Sequence, residues 1–370
     1  MSSPDHIVII CSRLDLPGGI ERAIINTANL FTEKGHDVSL VILDETAELF
    51  YPLHTRIHII RQPLSFGITQ EGNILTRKIK LLSDVLKLRR ILKKLKPGLV
   101  IATEYPFATA AVLTGIRNPA RVVSWEHHHY NELGKSAFWK RMERFTYPKL
   151  DAVVCLNEDE KKYYEQLNAK PVVIPNFITR SIVTGSHRSN RILTVARLTE
   201  VKGIGLFLQT AKIVLQKHPG WTWKIIGDGE MKKEVMEFIK KENLTGRLII
   251  QTPVDHNIQK EYEEASIYVM TSKHECFPMT LLEAMAAALP CIAFDCETGP
   301  RHIITDKEDG LLIEVEDPQQ LAEAISLLIT DEEKRKKMGE KALENVRRFS
   351  ADRVYELWKT TIVHRPSTIE

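Results

Sequence analysis

The strongest constraint on this chain is a rhythm. Short runs rich in Val and Ile alternate with helix-length segments from residue 6 onward. In the first half the runs are HIVIICS, DVSLVIL, RIHII, GLVIAT, RVVSW, DAVVCL and PVVIP. Helical patterns lie between them, such as ERAIINTANLFTEKG, which ends at Gly35 as a C-cap would. Short apolar runs separated by helices are the mark of parallel strands buried on both faces. The rhythm pauses over NFITRSIVTGSHRSN, which has no periodicity, and restarts at residue 191 with RILTVAR, WKIIGDG, RLIIQT, IYVMTS, CIAFD and GLLIEV. The pattern predicts two doubly wound, Rossmann-like α/β domains, residues 1–178 and 191–349, joined by a linker at 179–190. Residues 350–370 form a C-terminal segment whose FSADRVYELWKTTIV is helical in pattern. Such sheets bind ligands at the carboxyl ends of their strands, so a cleft between two of them is the expected site.

Composition narrows the setting. The 370 residues are 43% hydrophobic and 27% charged, with no apolar stretch near the ~18–20 residues of a membrane span. The N-terminal MSSPDHIVIICS reads as a first strand and not as a signal peptide. The cysteines Cys11, Cys155, Cys276, Cys291 and Cys296 form no CxxC pair, which favours a reduced, cytoplasmic protein without structural zinc. Residues 1–180 carry 25 Lys and Arg against 19 Asp and Glu, a balance of +6; the remainder carries 26 against 29, a balance of −3. The two halves should therefore meet different partners.

The segment HECFPMTLLEAMA sets Glu275 and Glu283 eight residues apart. Pro278 favours the first turn of a helix, so Glu275 belongs to a loop at a helix N-terminus and Glu283 to the helix itself. That helix is apolar nearly all round, and a buried Glu needs a good partner. The partner is either a buried Arg or Lys, or a ligand such as a ribose diol that donates two hydrogen bonds.

Other loops suggest anion chemistry. Gly18-Gly19 precedes a helix, where positive φ and free N–H groups would hold an anion, although a plain strand-to-helix turn reads the same. Arg197 and Lys202 follow the first strand of the second domain and would neutralise a diphosphate, or form only a solvated basic loop. Gly227-Asp228-Gly229 ends the next strand, but Lys232 stands where a dinucleotide fingerprint needs its third Gly. A P-loop is excluded because His129 occupies its first Gly position ahead of Gly134-Lys135-Ser136. In WEHHHY, consecutive residues of an extended chain point to alternating sides, so three His do not make a metal site. No Asp-x-Asp pair is present to hold a metal on a nucleotide diphosphate. A leaving diphosphate would need cations and helix N-termini instead.

Taken together, ECFPMTLLE followed by AMAAALP, VARLTEVKG, PGGIER, WEHHHY, IPNFI and TGPRHII resemble the retaining glycosyltransferases of family 4 over nearly the whole chain. The resemblance implies the GT-B fold: two Rossmann-like domains facing across a cleft, with the C-terminal helix crossing back to the first domain. It implies a metal-independent hexosyltransferase that uses a nucleotide sugar and no cofactor. Its catalytic residues would be His127, Arg197, Lys202 and Glu275. The donor would be bound by Gly18, Gly19, Arg197, Lys202, Gly227, Glu275, Phe277, Pro278, Met279, Thr280 and Glu283, with Glu283 on the ribose. Cys276 and Ala288 stand where the family usually has Gly. The donor expected is a UDP-sugar, with GDP-mannose as the other choice. A GT-B epimerase of UDP-N-acetylglucosamine, or a non-catalytic nucleotide-sugar-binding subunit, are the alternatives.

The acceptor side is written less clearly. TRKIKLLSDVLKLRRILKKLKP, residues 76–97, carries nine basic residues and one acid, with Leu, Ile and Val at helical spacing. It is either an ordinary packed helix or one that lays its basic face on an anionic membrane surface, which would suit a glycan or lipid-linked acceptor in cell-surface polysaccharide assembly and a peripheral membrane location. The stripe lacks aromatic interleaving, which argues against nucleic acid.

Overall fold

A computed structural model describes residues 6–44, 48–66, 74–116, 120–179, 189–253 and 258–363. The expected linker at 179–190 therefore lies mostly outside the described residues. The chain divides into two units, Met1–Asn176 with Ala351–Glu370, and Phe177–Ser350.

The first unit holds strands β1 (His6–Cys11), β2 (Asp37–Ile42), β3 (His58–Arg61), β4 (Leu99–Ala102), β5 (Arg121–Trp125), β6 (Ala152–Cys155) and β7 (Pro171–Val173). They form one sheet in the order β3-β2-β1-β4-β5-β6-β7, with all pairings parallel. The second unit holds β8 (Arg191–Val195), β9 (Thr222–Ile226), β10 (Leu248–Gln251), β11 (Ile267–Met270), β12 (Cys291–Phe294) and β13 (Gly310–Ile313). Their order is β10-β9-β8-β11-β12-β13, again parallel throughout. Ile7 to Cys11 and Leu99 to Ala102 are fully buried, as strands covered by helices on both faces must be. Each expected apolar run forms a strand.

Topology places the functional loops. Strand order reverses between β1 and β4 in one sheet and between β8 and β11 in the other. Loops leaving such neighbours diverge to opposite faces and open a crevice at the carboxyl edge.

The C-terminal helix Ala351–Trp358 returns to the first unit, as the family resemblance implied. Trp358 meets Phe31 and Trp125 edge-on, with ring centroids 5.7 and 5.4 Å apart. His36 and the Tyr355 hydroxyl share a hydrogen bond of 3.0 Å, and Lys34 pairs with Asp352 at 2.6 Å. Burial of the two indoles supplies most of this anchorage, because exposed ion pairs contribute little.

The helix Met279–Ala286 ends in a Schellman motif. Ala288 N–H donates to the Met285 carbonyl at 2.9 Å and Leu289 N–H to the Ala284 carbonyl at 3.0 Å. This closure requires a left-handed residue, and Ala288 adopts φ 54°. A Cβ there costs about 1–2 kcal/mol. Cys276, the other departure from the family's glycines, is not among the described residues with positive φ. It is conformationally neutral, whereas Ala288 is strained. Ala288→Gly should therefore raise the stability of the second unit by about 0.5–1 kcal/mol, after allowance for the greater chain entropy of unfolded Gly. Urea unfolding of that unit measures it, and a lowered midpoint would contradict the strain argument.

Candidate active site

The second unit builds its site at the β8–β11 crevice. Beyond β8 the chain turns through a short 3-10 segment, Glu200–Lys202, and closes on Gly203 at φ 65°. Gly203 is required twice. Its φ suits glycine, and a Cβ would lie 1.9 Å from the Thr271 carbonyl oxygen. The Thr271 hydroxyl donates to the Lys202 carbonyl at 3.0 Å, stitching the loop after β8 to the loop after β11.

This stitching brings two of the expected residues together. Lys202 Nζ donates to Glu275 Oε1 at 2.6 Å, and Ser272 Oγ donates to the same oxygen at 2.7 Å. The Thr298 hydroxyl donates to the Glu275 backbone carbonyl. Gly299, at φ 81°, presses on Glu275 so closely that a Cβ would come 2.8 Å from its Cβ. Both members of the ion pair remain partly open to solvent.

The helix that follows differs in two details from expectation. Pro278 is the N-cap, with φ −72° and ψ 109°, and not a residue of the first turn. The restricted φ of Pro suits either position, and the extended ψ delays the helix by one residue. Glu283 is half-buried, not enclosed. Leu281, Leu282, Ala284 and Met285 turn into the core, while Glu283 takes the remaining edge of the helix. Its Oε2 accepts from the Tyr262 hydroxyl at 2.9 Å. Tyr262, from the helix Ile258–Glu264, is buried.

The other expected donor residues are spread through the same region. Arg197 is exposed in the loop after β8. Gly227 packs under that loop, since a Cβ there would lie 1.8 Å from the Ala196 carbonyl oxygen. Phe277 and Met279 are buried, and Phe277 meets Phe349 edge-on at 5.4 Å. Thr280 is partly buried.

Gly18, Gly19 and His127 belong to the first unit. Gly18 is the N-cap of the helix Gly19–Glu33, at φ −94° and ψ 160°. This is extended backbone, so the positive φ expected there is absent. What glycine provides is room, because a Cβ would sit 2.0 Å from the flexible Glu21 carboxylate.

The three histidines alternate as an extended segment should. His127 and His129 are buried and His128 is exposed. The His127 ring lies against Trp125 at 4.3 Å, and neither of its nitrogens has a hydrogen-bond partner among the described residues. Burial, with the neighbouring His128 charge, pushes its pKa down to about 3. His129 Nδ1 meets Glu160 Oε1 at 2.5 Å.

Several functional neighbours carry no sequence pattern and were missed. Ser272 and Tyr262 hold the two carboxylates and Thr298 the Glu275 backbone carbonyl, yet lone hydroxyl residues announce nothing in a sequence. Glu126 is buried and accepts from Ser124 and Tyr147. Burial raises its pKa, while Lys135 and the two hydroxyls oppose the rise. Glu104 is the N-cap of the helix Tyr105–Leu113 but makes no side-chain cap. Burial, then the charges of Glu126 and Glu21, push its carboxyl up to about 7. Among the described residues no group of three or more His, Cys, Asp or Glu is arranged to hold a metal ion.

His127 makes a pH prediction. Its folded pKa lies below the ordinary value of 6.5, so the unfolded chain takes the proton first as pH falls. Its contribution to stability is whole above pH 6.5 and is lost as pH falls toward 3. At pH 4.5 the loss should reach about 2–3 kcal/mol. His127→Leu should therefore gain stability relative to the wild type between pH 7 and pH 4.5 in urea unfolding. A constant difference would contradict the buried, neutral imidazole.

Comparison with known proteins agrees with this architecture. Residues 17–181 match the family model described as Glycosyltransferase Family 4, and residues 179–345 match Glycosyl transferases group 1. The amylovoran biosynthesis glycosyltransferase AmsD of Erwinia amylovora is 29% identical over 95% of this chain and 98% of its own. The GalNAc-alpha-(1->4)-GalNAc-alpha-(1->3)-diNAcBac-PP-undecaprenol alpha-1,4-N-acetyl-D-galactosaminyltransferase of Campylobacter jejuni is 27% identical over 92% of this chain and 94% of its own. Among solved structures, S. aureus TarM with fondaparinux, alpha-GlcNAc-glycerol and UDP superposes with a TM-score of 0.78, at 17% identity, over 96% of this chain and 99% of that one. With two parallel Rossmann-like sheets and family models spanning both units, the chain belongs to the family 4 type of glycosyltransferases, with the GT-B fold.

Proposed function

We propose that this protein is a retaining, metal-independent glycosyltransferase. It moves a sugar from a nucleotide diphosphate sugar to a glycan or lipid-linked acceptor in cell-surface polysaccharide synthesis. The observation that carries the reading is the Lys202–Glu275 pair at the β8–β11 crevice. A cation and a carboxylate held 2.6 Å apart, both reachable from solvent, are poised to exchange each other for a ligand. Lys202, joined by the exposed Arg197, would take the donor diphosphate. Glu275 would then accept hydrogen bonds from the sugar hydroxyls, and Glu283 from the ribose diol. Gly18, Gly19 and His127 would serve the sugar and acceptor side from the first unit. A UDP-sugar is favoured over GDP-mannose, in keeping with UDP in the TarM complex. The polysaccharide setting is that of the amylovoran and undecaprenol-linked relatives.

The mechanism follows from which groups are available. Every step is assigned to substrate oxygens and fixed cations. The leaving diphosphate accepts the acceptor's proton on the same face of the sugar, while Arg197 and Lys202 stabilise its developing charge. A front-face departure of this kind preserves the anomeric configuration. Positioned cations act most strongly where water is excluded. NMR of the product formed with a UDP-sugar and EDTA tests the assignment, and a retained anomer is expected. Arg197→Ala should lower kcat by about tenfold to a thousandfold, the usual range for a lost transition-state donor, and change nucleotide affinity less. An inverted product, or unchanged kcat in the variant, would sink the mechanism.

The basic helix supports contact with an anionic membrane surface. The helix Ile74–Leu95 buries its one acid, Asp84, which pairs with Lys80 at 3.2 Å and accepts from the Ser65 and Phe66 N–H groups. Among the described residues its exposed side chains are therefore Ile79, Leu82 and Leu86 with Lys, Arg, Thr76 and Ser83, and no acid. The helix Ala137–Thr146 repeats the arrangement: Glu143 is buried, and Phe138 and Phe145 are exposed among Lys140, Arg141 and Arg144. The helix Tyr105–Leu113 packs against both. Apolar side chains ringed by cations suit an interface of anionic lipid. Vesicles containing phosphatidylglycerol should co-sediment the protein and neutral vesicles should not, with Leu82→Ser and Phe145→Ser weakening the effect. Equal binding to both vesicle types, or to neither, would refute it.

A further inference from the structure

His127 sits in a segment that is fastened around it but not at it. The loop from Glu126 to Lys135 is tied at three buried points. Glu126 is held by Ser124 and Tyr147. Lys135 Nζ donates to Glu143 Oε1 at 2.6 Å, and the Tyr130 hydroxyl donates to Glu143 Oε2 at 3.1 Å. Glu160 uses both oxygens on adjacent residues. Oε1 meets His129 Nδ1 at 2.5 Å, and Oε2 accepts the Tyr130 N–H at 3.0 Å. Glu160 is itself fixed, because Asn157 caps its helix by accepting the Glu160 N–H at 2.8 Å.

The third of these ties differs from the other two. Ser124, Glu126 and Tyr147 form a knot at the end of β5, and Lys135, Tyr130 and Glu143 form another at the start of the next helix. Glu160 reaches across from the helix Glu158–Glu165 and takes hold two residues beyond His127, beside Tyr163 of the same helix, which stacks on Tyr130 at 5.2 Å and accepts from Asn131 Nδ2 at 2.9 Å. A buried carboxylate left without such partners would be strongly destabilising, so the tie is firm. It also selects the His129 tautomer that carries its proton on Nδ1. On the other side, Trp125 lies against the His127 ring. The imidazole is thus held by its backbone and its neighbour, and both nitrogens are buried without a hydrogen-bond partner among the described residues. A buried polar group without a partner calls for an explanation, and a catalytic role is one of them.

We infer that Glu160 is a positioning residue for His127: by clamping His129 and the Tyr130 N–H, it fixes the backbone that carries the His127 imidazole and so the orientation of that ring. The inference rests on the proposed role of His127. It does not require Glu160 to touch a substrate. Glu160→Gln is the conservative probe. The Gln amide oxygen still accepts from Tyr130, but its NH₂ group faces His129 and demands the other tautomer.

The experiment is a double-mutant cycle with His127→Ala and Glu160→Gln in the full chain, read by kcat, KM for donor and UDP affinity. Melting temperature checks the fold, and Glu160→Asp is the rescue variant. Glu160→Gln is expected to lower kcat about tenfold or more, since small misplacements of a reacting group have effects of this size. UDP affinity should change less than twofold, because Lys202 and Glu283 belong to the other unit. In the His127→Ala background Glu160→Gln should have no further effect, and Glu160→Asp should recover part of the loss only where His127 is present. If His127→Ala lowers kcat but Glu160→Gln lowers it equally in both backgrounds, the positioning role is overturned while the role of His127 stands. If His127→Ala leaves kcat unchanged, the reading of His127 fails, and this inference fails with it.

Discussion

The second unit depends on how closely two loops approach at the β8–β11 crevice. Gly203 has no Cβ because the Thr271 carbonyl occupies its place. That contact and the Thr271 hydroxyl bring the ends of two strands into register, so a lysine and a glutamate far apart in sequence meet at 2.6 Å. Gly227 and Gly299 act in the same way, one under the Arg197 loop and one against Glu275. The glycines contribute little binding chemistry of their own. They remove volume where backbone must pass, and the charged side chains then fall into place.

Parallel strands explain why so much of the fold was legible. A strand covered on both faces must be apolar at nearly every position, so CIAF and LVIA stand out in the chain without help from alternation. The Glu275 to Glu283 spacing was legible for a related reason. A loop followed by a Pro and a run of helix formers has few conformations open to it. What stayed hidden was long-range and polar. The pairing of His129 with Glu160 joins residues 31 apart, and no local rule links them. Tyr262 and Ser272 are ordinary until a carboxylate is found beside them. The semi-exposed edge of Glu283 was also unreadable, because a helix with one open edge and a helix fully enclosed share one apolar pattern. Gly18 was read as a conformational need and is a spatial one, a difference that only a neighbouring side chain reveals.

The first unit shows a different economy. It buries Glu126, Glu143 and Glu160 close to one loop, each satisfied by Tyr, Ser, His or Lys donors. Pairs of this kind add little net stability over an apolar core, yet they are very costly to break singly. They specify one geometry. Their concentration around His127, whose nitrogens have no partner among the described residues, fits a segment shaped for orientation more than for stability. The outward faces of the helices Ile74–Leu95 and Ala137–Thr146 follow the opposite rule, with acids turned inward and cations left outside. One unit thus carries both a rigid polar interior and a basic, partly apolar exterior.

The central claim is that a nucleotide diphosphate binds at the β8–β11 crevice through Lys202 and Glu283 without a metal. Calorimetric titration with UDP and with GDP, both in EDTA, tests it most directly when repeated on Glu283→Ala. The account predicts micromolar binding of UDP by the wild type, weaker GDP binding, and a loss of UDP affinity of about tenfold or more in the variant, as expected when a charge-assisted pair of hydrogen bonds is removed. Binding that requires a divalent ion, or UDP affinity unchanged in Glu283→Ala, would contradict it.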